Sequence, residues 1–290
     1  MILGRFFPRL FPRAGDIAPD RGDPIRASQA YSKPAAAPGP KLHVEFPDGE
    51  TRGQDHEWCT VTTGDETRRI RFHDYDEIYK IPGLYETLFY DLLECSSPET
   101  VRSLLEKELR QDDVEPSELN VLDLGAGNGM VGEQLAEMGA GAIVGVDLID
   151  EAAAATERDR PGVYDDYVVA DLTDLSGDQR ERLESHEFNS LVTVAALGFG
   201  DIPPRAFAEA FNLVEDGGWV AFNIKENFLD DGADATGFSR LIARLLDLGI
   251  AERRAEKTYR HRLSTCGKPL TYVALVASKR SDIPEHLLAG

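Results

Sequence analysis

Residues 120–135 read NVLDLGAGNGMVGEQL, an apolar run that carries one acid and then meets four glycines. Asp123, Gly125, Ala126, Gly127, Asn128 and Gly129 together suit a loop that bends sharply and leaves backbone open to a close ligand. Two spellings overlap here. Gly127, Gly129 and Gly132 match G-x-G-x-x-G, the dinucleotide fingerprint; Asp123, Gly125, Gly127 and Gly129 match D-x-G-x-G-x-G. The strand register separates them. A dinucleotide loop has its first glycine at the strand's end, its second two residues on and its third three further. The strand ends at Leu124, so that third position falls on Met130. The acid-containing spelling is in frame. A carboxylate inside a buried strand costs several kcal/mol unless satisfied. Asp123 would repel a pyrophosphate, whereas it supports an ammonium directly or through water. The loop therefore suits a ligand with an amino-acid moiety, and Gly132 is left to pack its helix against the sheet.

Two further acids sit in register with the loop. In VGVDLID, Asp147 ends the second strand, where a carboxylate accepts both hydroxyls of a ribose. An NAD site has the same feature. In VVADLTD, Asp171 ends the third strand, where it can accept from an adenine amino group. Leu148 and Leu172, each next to its acid, are placed to sandwich a flat ring.

The elements that position these residues follow from periodicity. From residue 120 on, the strand-like runs are NVLDL, AIVGVDL, YVVADL, NSLVTVAAL and GGWVAFNI, with helical stretches such as GMVGEQLAEMG and PPRAFAEAFNLV between them. Apolar strands alternating with helices predict βαβ units and a parallel sheet covered on both faces. GFSRLIARLLDLG predicts a further helix. AERRAEKTYRHRLS and LTYVALVAS then follow each other across the turn TCGKP with no helix between, which requires an antiparallel pair. Upstream, Leu42, Val44 and Phe46, then WCTVT, then RRIRF predict a small β-meander. HDYDEIYKIPGLYETLFYDLLEC predicts an aromatic, mostly helical segment broken at Pro82-Gly83. Residues 98–111 predict a helix with Val101, Leu104, Leu105 and Leu109 on one face. The expected fold is α/β, a Rossmann-like doubly wound sheet, mostly parallel with an antiparallel last strand, plus an N-terminal β-meander and helical lid. The expected divisions are 1–40 (disordered leader and Pro/Ala linker), 41–118 (meander and lid), 119–280 (binding core) and 281–290 (tail).

Composition narrows the partners. Net charge is -21 over 290 residues. Residues 1–43 carry seven Lys/Arg and three Asp, a net of +4, so the rest carries -25. Such an acidic body repels phosphate backbones, which argues against broad nucleic-acid binding. Three well-separated cysteines make neither a disulfide framework nor a zinc site, and no metal is expected. No apolar run is long enough to span a membrane. The Arg- and Pro-interrupted N-terminus is unlike a secretory h-region. The expected location is cytoplasmic; the oligomeric state is open.

The motifs VLDLGAGNG, GVDL, ADL and GGWVAF, in this order and followed by a reversed final strand, resemble a class I S-adenosylmethionine-dependent methyltransferase across residues 119–280. The resemblance implies S-adenosyl-L-methionine as cofactor, with Asp123 and the glycines at its methionine part, Asp147 at its ribose and Asp171 with Leu172 at its adenine. The segments GVYDDYVVADLTDL and AALGFGDIPPRAF are similar to small methyltransferases of the Williams–Beuren-region type, which tend to have a histidine where this chain has Asp201.

Methyl transfer is an in-line SN2 displacement in which the protein supplies alignment, desolvation and electrostatics. A general base is needed only when the acceptor must lose a proton. Ala195 follows the fourth strand, at the site. Lys225, Glu226 and Asn227 follow the fifth. His73, Tyr75, Tyr79 and Tyr85 lie in the lid segment, with Tyr75 or Tyr79 expected over the cofactor. Candidate catalytic groups are His73, Asp201 and Glu226. No N-P-P-Y tetrapeptide follows the fourth strand, which lowers nucleobase and glutamine acceptors. Two functions stay open: a methyltransferase with a small-molecule acceptor (O, N or C), or an S-adenosylmethionine-binding sensor or partner subunit without transferase activity.

Overall fold

A computed structural model describes residues 31, 41–47, 53–229 and 236–288. The expected leader and linker, residues 1–40, lie outside the described residues save Tyr31. The chain first forms the meander, β1 (Leu42–Glu45), β2 (Trp58–Thr63) and β3 (Glu66–Arg71), paired antiparallel in that order. Helix α1 (Tyr75–Lys80), helix α2 (Leu84–Glu86) and a wide helical turn at Thr87–Leu92 make the lid, and Gly83 separates α1 from α2 in the left-handed region. Cys59, Val61, Ile70 and Phe72 of the meander pack with Ile78, Leu84, Leu88 and Phe89 of the lid in one apolar cluster.

The larger unit follows as α3 (Ser97–Gln111), β4 (Asn120–Leu124), α4 (Met130–Met138), β5 (Ala142–Asp147), α5 (Asp150–Asp159), β6 (Asp166–Val169), α6 (Gly177–Glu184), β7 (Ser190–Thr193), α7 (Pro204–Asn212), β8 (Trp219–Lys225), α8 (Phe238–Asp247), β9 (Ala251–Leu263) and β10 (Pro269–Lys279). Helices α5 and α6 are ones the apolar pattern does not single out. Helix α5 is a run of strong helix formers, DEAAAATERD. Helix α6 opens on a reciprocal cap in which Gln179 N–H donates to Ser176 Oγ at 3.2 Å and Ser176 N–H donates to Gln179 Oε1 at 3.0 Å.

The sheet order is β6-β5-β4-β7-β8-β10-β9. Strands β4 to β8 run parallel, and β10 is antiparallel to both β8 and β9. The last strand is reversed as expected, but it lies one place in from the edge. It inserts between β8 and β9, so the edge strand β9 runs with the parallel set. Burial explains the arrangement: β10 is apolar along nearly its whole length, whereas β9 alternates with charged, exposed side chains that suit an edge. Val101, Leu105, Val131 and Leu135 of α3 and α4 cover one face; Phe207, Phe211, Phe238 and Leu241 of α7 and α8 cover the other. The chain leaves β4 in one direction to β5 and returns to its other side at β7. Such a switch point opens a crevice at the carboxyl ends of the strands.

The lid is bolted to this crevice from α5. Arg160 follows that helix and is 1% exposed. Its Nε donates to Glu133 Oε2 of α4 at 3.0 Å. Its Nη1 donates to Glu86 Oε1 of the lid at 2.7 Å and to Asn128 O of the glycine loop at 3.1 Å. Arg158 Nη1 donates to Tyr79 O at 2.8 Å. Removing one partner of a buried ion pair strands the other charge. Arg160→Leu is expected to lower the unfolding free energy by about 3–5 kcal/mol, read as a shift in the urea midpoint, while the surface change Arg253→Leu leaves it within about 0.5 kcal/mol.

Candidate functional site

The glycine loop spans Gly125 to Gly129, between the end of β4 and the start of α4. Gly125, Gly127 and Gly129 have φ of 75°, 55° and 85°, in the left-handed region. Gly127 meets a steric demand as well, because a Cβ there would collide with the Tyr79 hydroxyl. Its backbone is fully engaged. Gly127 N–H donates to Asp147 Oδ2 at 2.9 Å, and its carbonyl accepts from Thr156 Oγ1 at 2.7 Å and Tyr167 Oη at 2.8 Å.

Asp123 is fully buried on β4. Tyr164 Oη donates to its Oδ2 at 2.7 Å, while Oδ1 has no partner among the described residues. Burial pushes the carboxyl pKa up to about 7 against the pull of the tyrosine hydrogen bond. Tyr164 reaches Asp123 only because Gly132 has no side chain: a Cβ at Gly132 would lie 2.6 Å from the ring. The close packing expected of Gly132 is thus directed at Tyr164, a residue that the motif spelling does not reveal.

Asp147, at the end of β5, accepts from Gly127 N–H through Oδ2 and from Leu148 and Ile149 N–H through Oδ1, at 2.8 and 3.3 Å. Burial raises its pKa in spite of these donors. Asp171 is exposed and accepts from the Thr173 hydroxyl at 2.7 Å and Thr173 N–H at 2.8 Å, which lower its pKa.

These residues border a cleft of about 410 Å³ across the ends of β4, β5, β6 and β7. Gly125, Asp147, Leu148, Asp171, Leu172 and Ala195 line it. Leu172 is buried and Leu148 is 60% exposed. A second, more enclosed cavity lies beneath the lid and is lined by Ala126, Gly127, Asn128 and Met130 of the loop region. Asp123 and Gly129 line neither cavity; Gly129 caps α4 and packs against Arg160 and Val163. Glu226 also lines neither, sitting in a short turn after β8.

Tyr75 and Tyr79 line both cavities, stacked with centroids 6.0 Å apart, and Tyr79 contacts Tyr85 at 5.3 Å. Burial drives both hydroxyls far above the usual tyrosine range, so they stay protonated. His73 and Asp201 also line both cavities. The fold brings these two residues, 128 apart in sequence, into a direct pair with His73 Nδ1 2.9 Å from Asp201 Oδ2. The sequence offers them only as separate candidates. A carboxylate only accepts, so Nδ1 carries the proton of this bond. Phe199 and Tyr75 flank the imidazole at 5.4 and 5.9 Å.

Ala195 has a left-handed φ of 58°. Its N–H donates to Oδ1 of the fully buried Asn223 on β8 at 2.6 Å, and Asn223 Nδ2 donates to Tyr259 Oη at 2.7 Å and Ser97 Oγ at 3.0 Å. The alternation of β8 carries no hint that one inward position is an amide serving the next loop.

The cradle fits a nucleoside joined to an amino acid. Beside the positive-φ glycines, the orphaned Asp123 Oδ1 leaves negative potential without a donor behind the loop. Apolar Val146, Ala170 and Leu172 offer walls between the Asp147 and Asp171 carboxylates. Among the described residues, no group of His, Cys, Asp or Glu is arranged to hold a metal ion, and no helix is long and apolar enough to cross a membrane.

Comparison with known proteins agrees with this geometry. The family described as methyltransferase domain matches residues 122–222. The mitochondrial ubiquinone biosynthesis O-methyltransferase of Candida albicans is 27% identical over 154 residues, which are 50% of this chain and 42% of that protein. The match thus spans less than half of that relative's length. The structure of the N-methyltransferase NodS from Bradyrhizobium japonicum WM9, in complex with S-adenosyl-L-homocysteine, covers 72% of this chain and 97% of its own, with a TM-score of 0.50 and 14% identity. The fold is that of the class I S-adenosylmethionine-dependent methyltransferases. Residues 122–222 match the methyltransferase-domain family, and S-adenosylmethionine is the cofactor that such a domain takes.

The raised Asp123 pKa gives a stability prediction. Between the unfolded value of about 4 and the folded value of about 7, the folded chain holds a proton that the unfolded chain lacks. Stability therefore falls as pH rises through that window. Asp123→Asn removes the titration, so the stability difference between variant and wild type should move in the variant's favour by on the order of 4 kcal/mol from pH 4 to pH 7, measured by denaturant titration at each pH. A pH-independent difference would place the Asp123 pKa in the ordinary range.

Proposed function

We propose that this protein transfers a methyl group from S-adenosylmethionine to a hydroxyl oxygen of a small-molecule acceptor. The single observation that carries the reading is the His73–Asp201 pair, which stands where the open cleft meets the enclosed cavity. In this reading the glycine loop, Asp123, Ala195, Tyr75 and Tyr79 hold the methionine end of the cofactor. Asp147 takes the ribose, and Asp171, Leu148 and Leu172 take the adenine. When bound, S-adenosylmethionine supplies a methyl group on a sulfonium, the electrophile of an in-line displacement.

The chain's own residues do the rest. Asp201 orients the His73 ring. His73 Nε2 accepts the proton of the acceptor hydroxyl, since a neutral hydroxyl is a poor nucleophile. The stacked tyrosines of the lid exclude water, which would otherwise solvate the oxygen anion. The similarity to an O-methyltransferase supports an oxygen acceptor. The acidic body supports a small molecule over a nucleic acid. The free cysteines support a reducing, cytoplasmic setting.

His73→Ala is expected to lower kcat about 10²–10⁴-fold with hydroxyl acceptors while S-adenosylmethionine affinity stays within about threefold. Asp201→Asn should lower kcat as well, through the ring's orientation. Thermal-shift titration with S-adenosylmethionine, S-adenosylhomocysteine and NAD checks the cofactor. A His73→Ala enzyme as active as wild type across a hydroxyl panel would overturn the base assignment, and stabilisation by NAD alone would overturn the whole reading.

A further inference from the structure

We infer that Asn223 is a positioning residue for the methyl transfer: its amide fixes the loop between β7 and α7 at Ala195, and through that loop it holds Asp201 against His73. This rests on the reading of the His73–Asp201 pair as the base.

Asp201 sits at the end of a short arm that closes on itself. Its N–H donates to Gly198 O at 3.2 Å, and Leu197 and Gly198 bridge to Ile202. Gly198, Phe199 and Gly200 have φ of 96°, 54° and 92°, all in the left-handed region. A Cβ at Gly198 would lie 2.6 Å from the Phe228 ring, and Phe199 meets that ring edge-on at 4.9 Å. The arm is thus braced into one shape. What aims it is its junction with β7, at Ala195.

Ala195 is left-handed as well, with φ of 58°. A non-glycine residue in that region is strained and persists only where its surroundings hold it. Asn223 supplies a hold: Ala195 N–H donates to its Oδ1 at 2.6 Å. A backbone N–H only donates, so the amide must present its oxygen there. Turned over, it would set N–H against N–H.

Asn223 is itself fixed from behind. It is fully buried, and its Nδ2 donates to Ser97 Oγ at 3.0 Å and to Tyr259 Oη at 2.7 Å. Ser97, also fully buried, starts α3, and Tyr259 comes from β9. Every donor in this group has an acceptor when Tyr259 donates to Ser97 and Ser97 to His261 Nδ1, both at 2.6 Å. Burial and the adjacent Arg262 hold the His261 pKa well below the usual histidine range, so its ring is neutral and free to accept. Asn223, Ser97 and Tyr259 line neither cavity. Their influence on the reaction therefore runs through the Ala195 backbone. That influence is large, because displacing a reacting group by about 1 Å can slow a reaction about 10²-fold.

The test uses the full-length protein. Asn223→Leu removes the acceptor at similar volume. Asn223→Asp keeps one oxygen for Ala195 N–H and offers the other to the Ser97 and Tyr259 hydroxyls. The ring N–H that His73 gives to Asp201 is followed by proton NMR, as the downfield signal missing from His73→Ala. Rates are read as kcat at saturating S-adenosylmethionine over a panel of hydroxyl acceptors. Asn223→Leu should lose or move the signal and lower kcat about tenfold or more, whereas Asn223→Asp should keep the signal and bring kcat back to within about fivefold of wild type. In a His73→Ala background Asn223→Leu should cost about twofold or less, since residues that act as a unit are not additive. Where Asn223→Leu does not fold, Tyr259→Phe, which removes one prop of the amide, should show the same signs with a kcat loss of about threefold. An unchanged signal in Asn223→Leu, or in Tyr259→Phe where it stands in, overturns the inference. So does an equal kcat loss with and without His73, or an Asn223→Asp enzyme as slow as Asn223→Leu. If His73→Ala is as active as wild type while Asn223→Leu still displaces the signal, the positioning by Asn223 stands and the base assignment falls, so the two failures are distinguishable.

Discussion

The guanidinium of Arg160, 1% exposed, joins three segments: α4, the lid and the glycine loop. It holds Glu133 of α4, Glu86 of the lid and the Asn128 carbonyl of the glycine loop. A buried charge of this kind is tolerable only when every direction around it is answered. Asn128 extends the same network, donating to Glu86 Oε1 at 2.8 Å and Asp159 Oδ2 at 3.3 Å. The lid therefore does not merely rest on the crevice. Its position is locked by the ion cluster that also shapes the loop, so loop geometry and lid geometry vary together.

The same logic explains why the loop is so heavily bonded. Glycines supply the bends but add conformational freedom that must be lost on folding. Here Asp147, Thr156 and Tyr167 all bond to Gly127, and Tyr79 closes over it. Asp123 lies below, tied to Tyr164 on one oxygen only. The strain of a half-satisfied buried acid is held in place by the surrounding β4, β5 and β7 ladders, and it leaves a negative potential behind the loop where a cationic group is favoured.

The meander and lid complete the site instead of decorating it. Arg71 closes β3, and Phe72 and His73 follow in the turn after it, so the strand that ends the meander also delivers the candidate base. Asp201 arrives from the opposite side, on the loop before α7. The position that in similar small methyltransferases tends to be histidine is an aspartate here, and the imidazole comes from the lid side instead.

Periodicity determined most of the architecture. Apolar runs separated by amphipathic stretches can form only a covered parallel sheet, and the final two runs with no helix between can only pair antiparallel. The D-x-G-x-G-x-G spelling and the acids at Asp147 and Asp171 were legible because each chemical demand is met within a few residues of one strand end. Three-dimensional structure alone decided what depends on distance across the chain: the insertion of β10 inside β9, the Tyr164–Asp123 bond that Gly132 permits, the Arg160 cluster, and the encounter of His73 with Asp201. A buried polar group must find its partner wherever packing places one, and that location is set by the whole fold, not by neighbours in sequence.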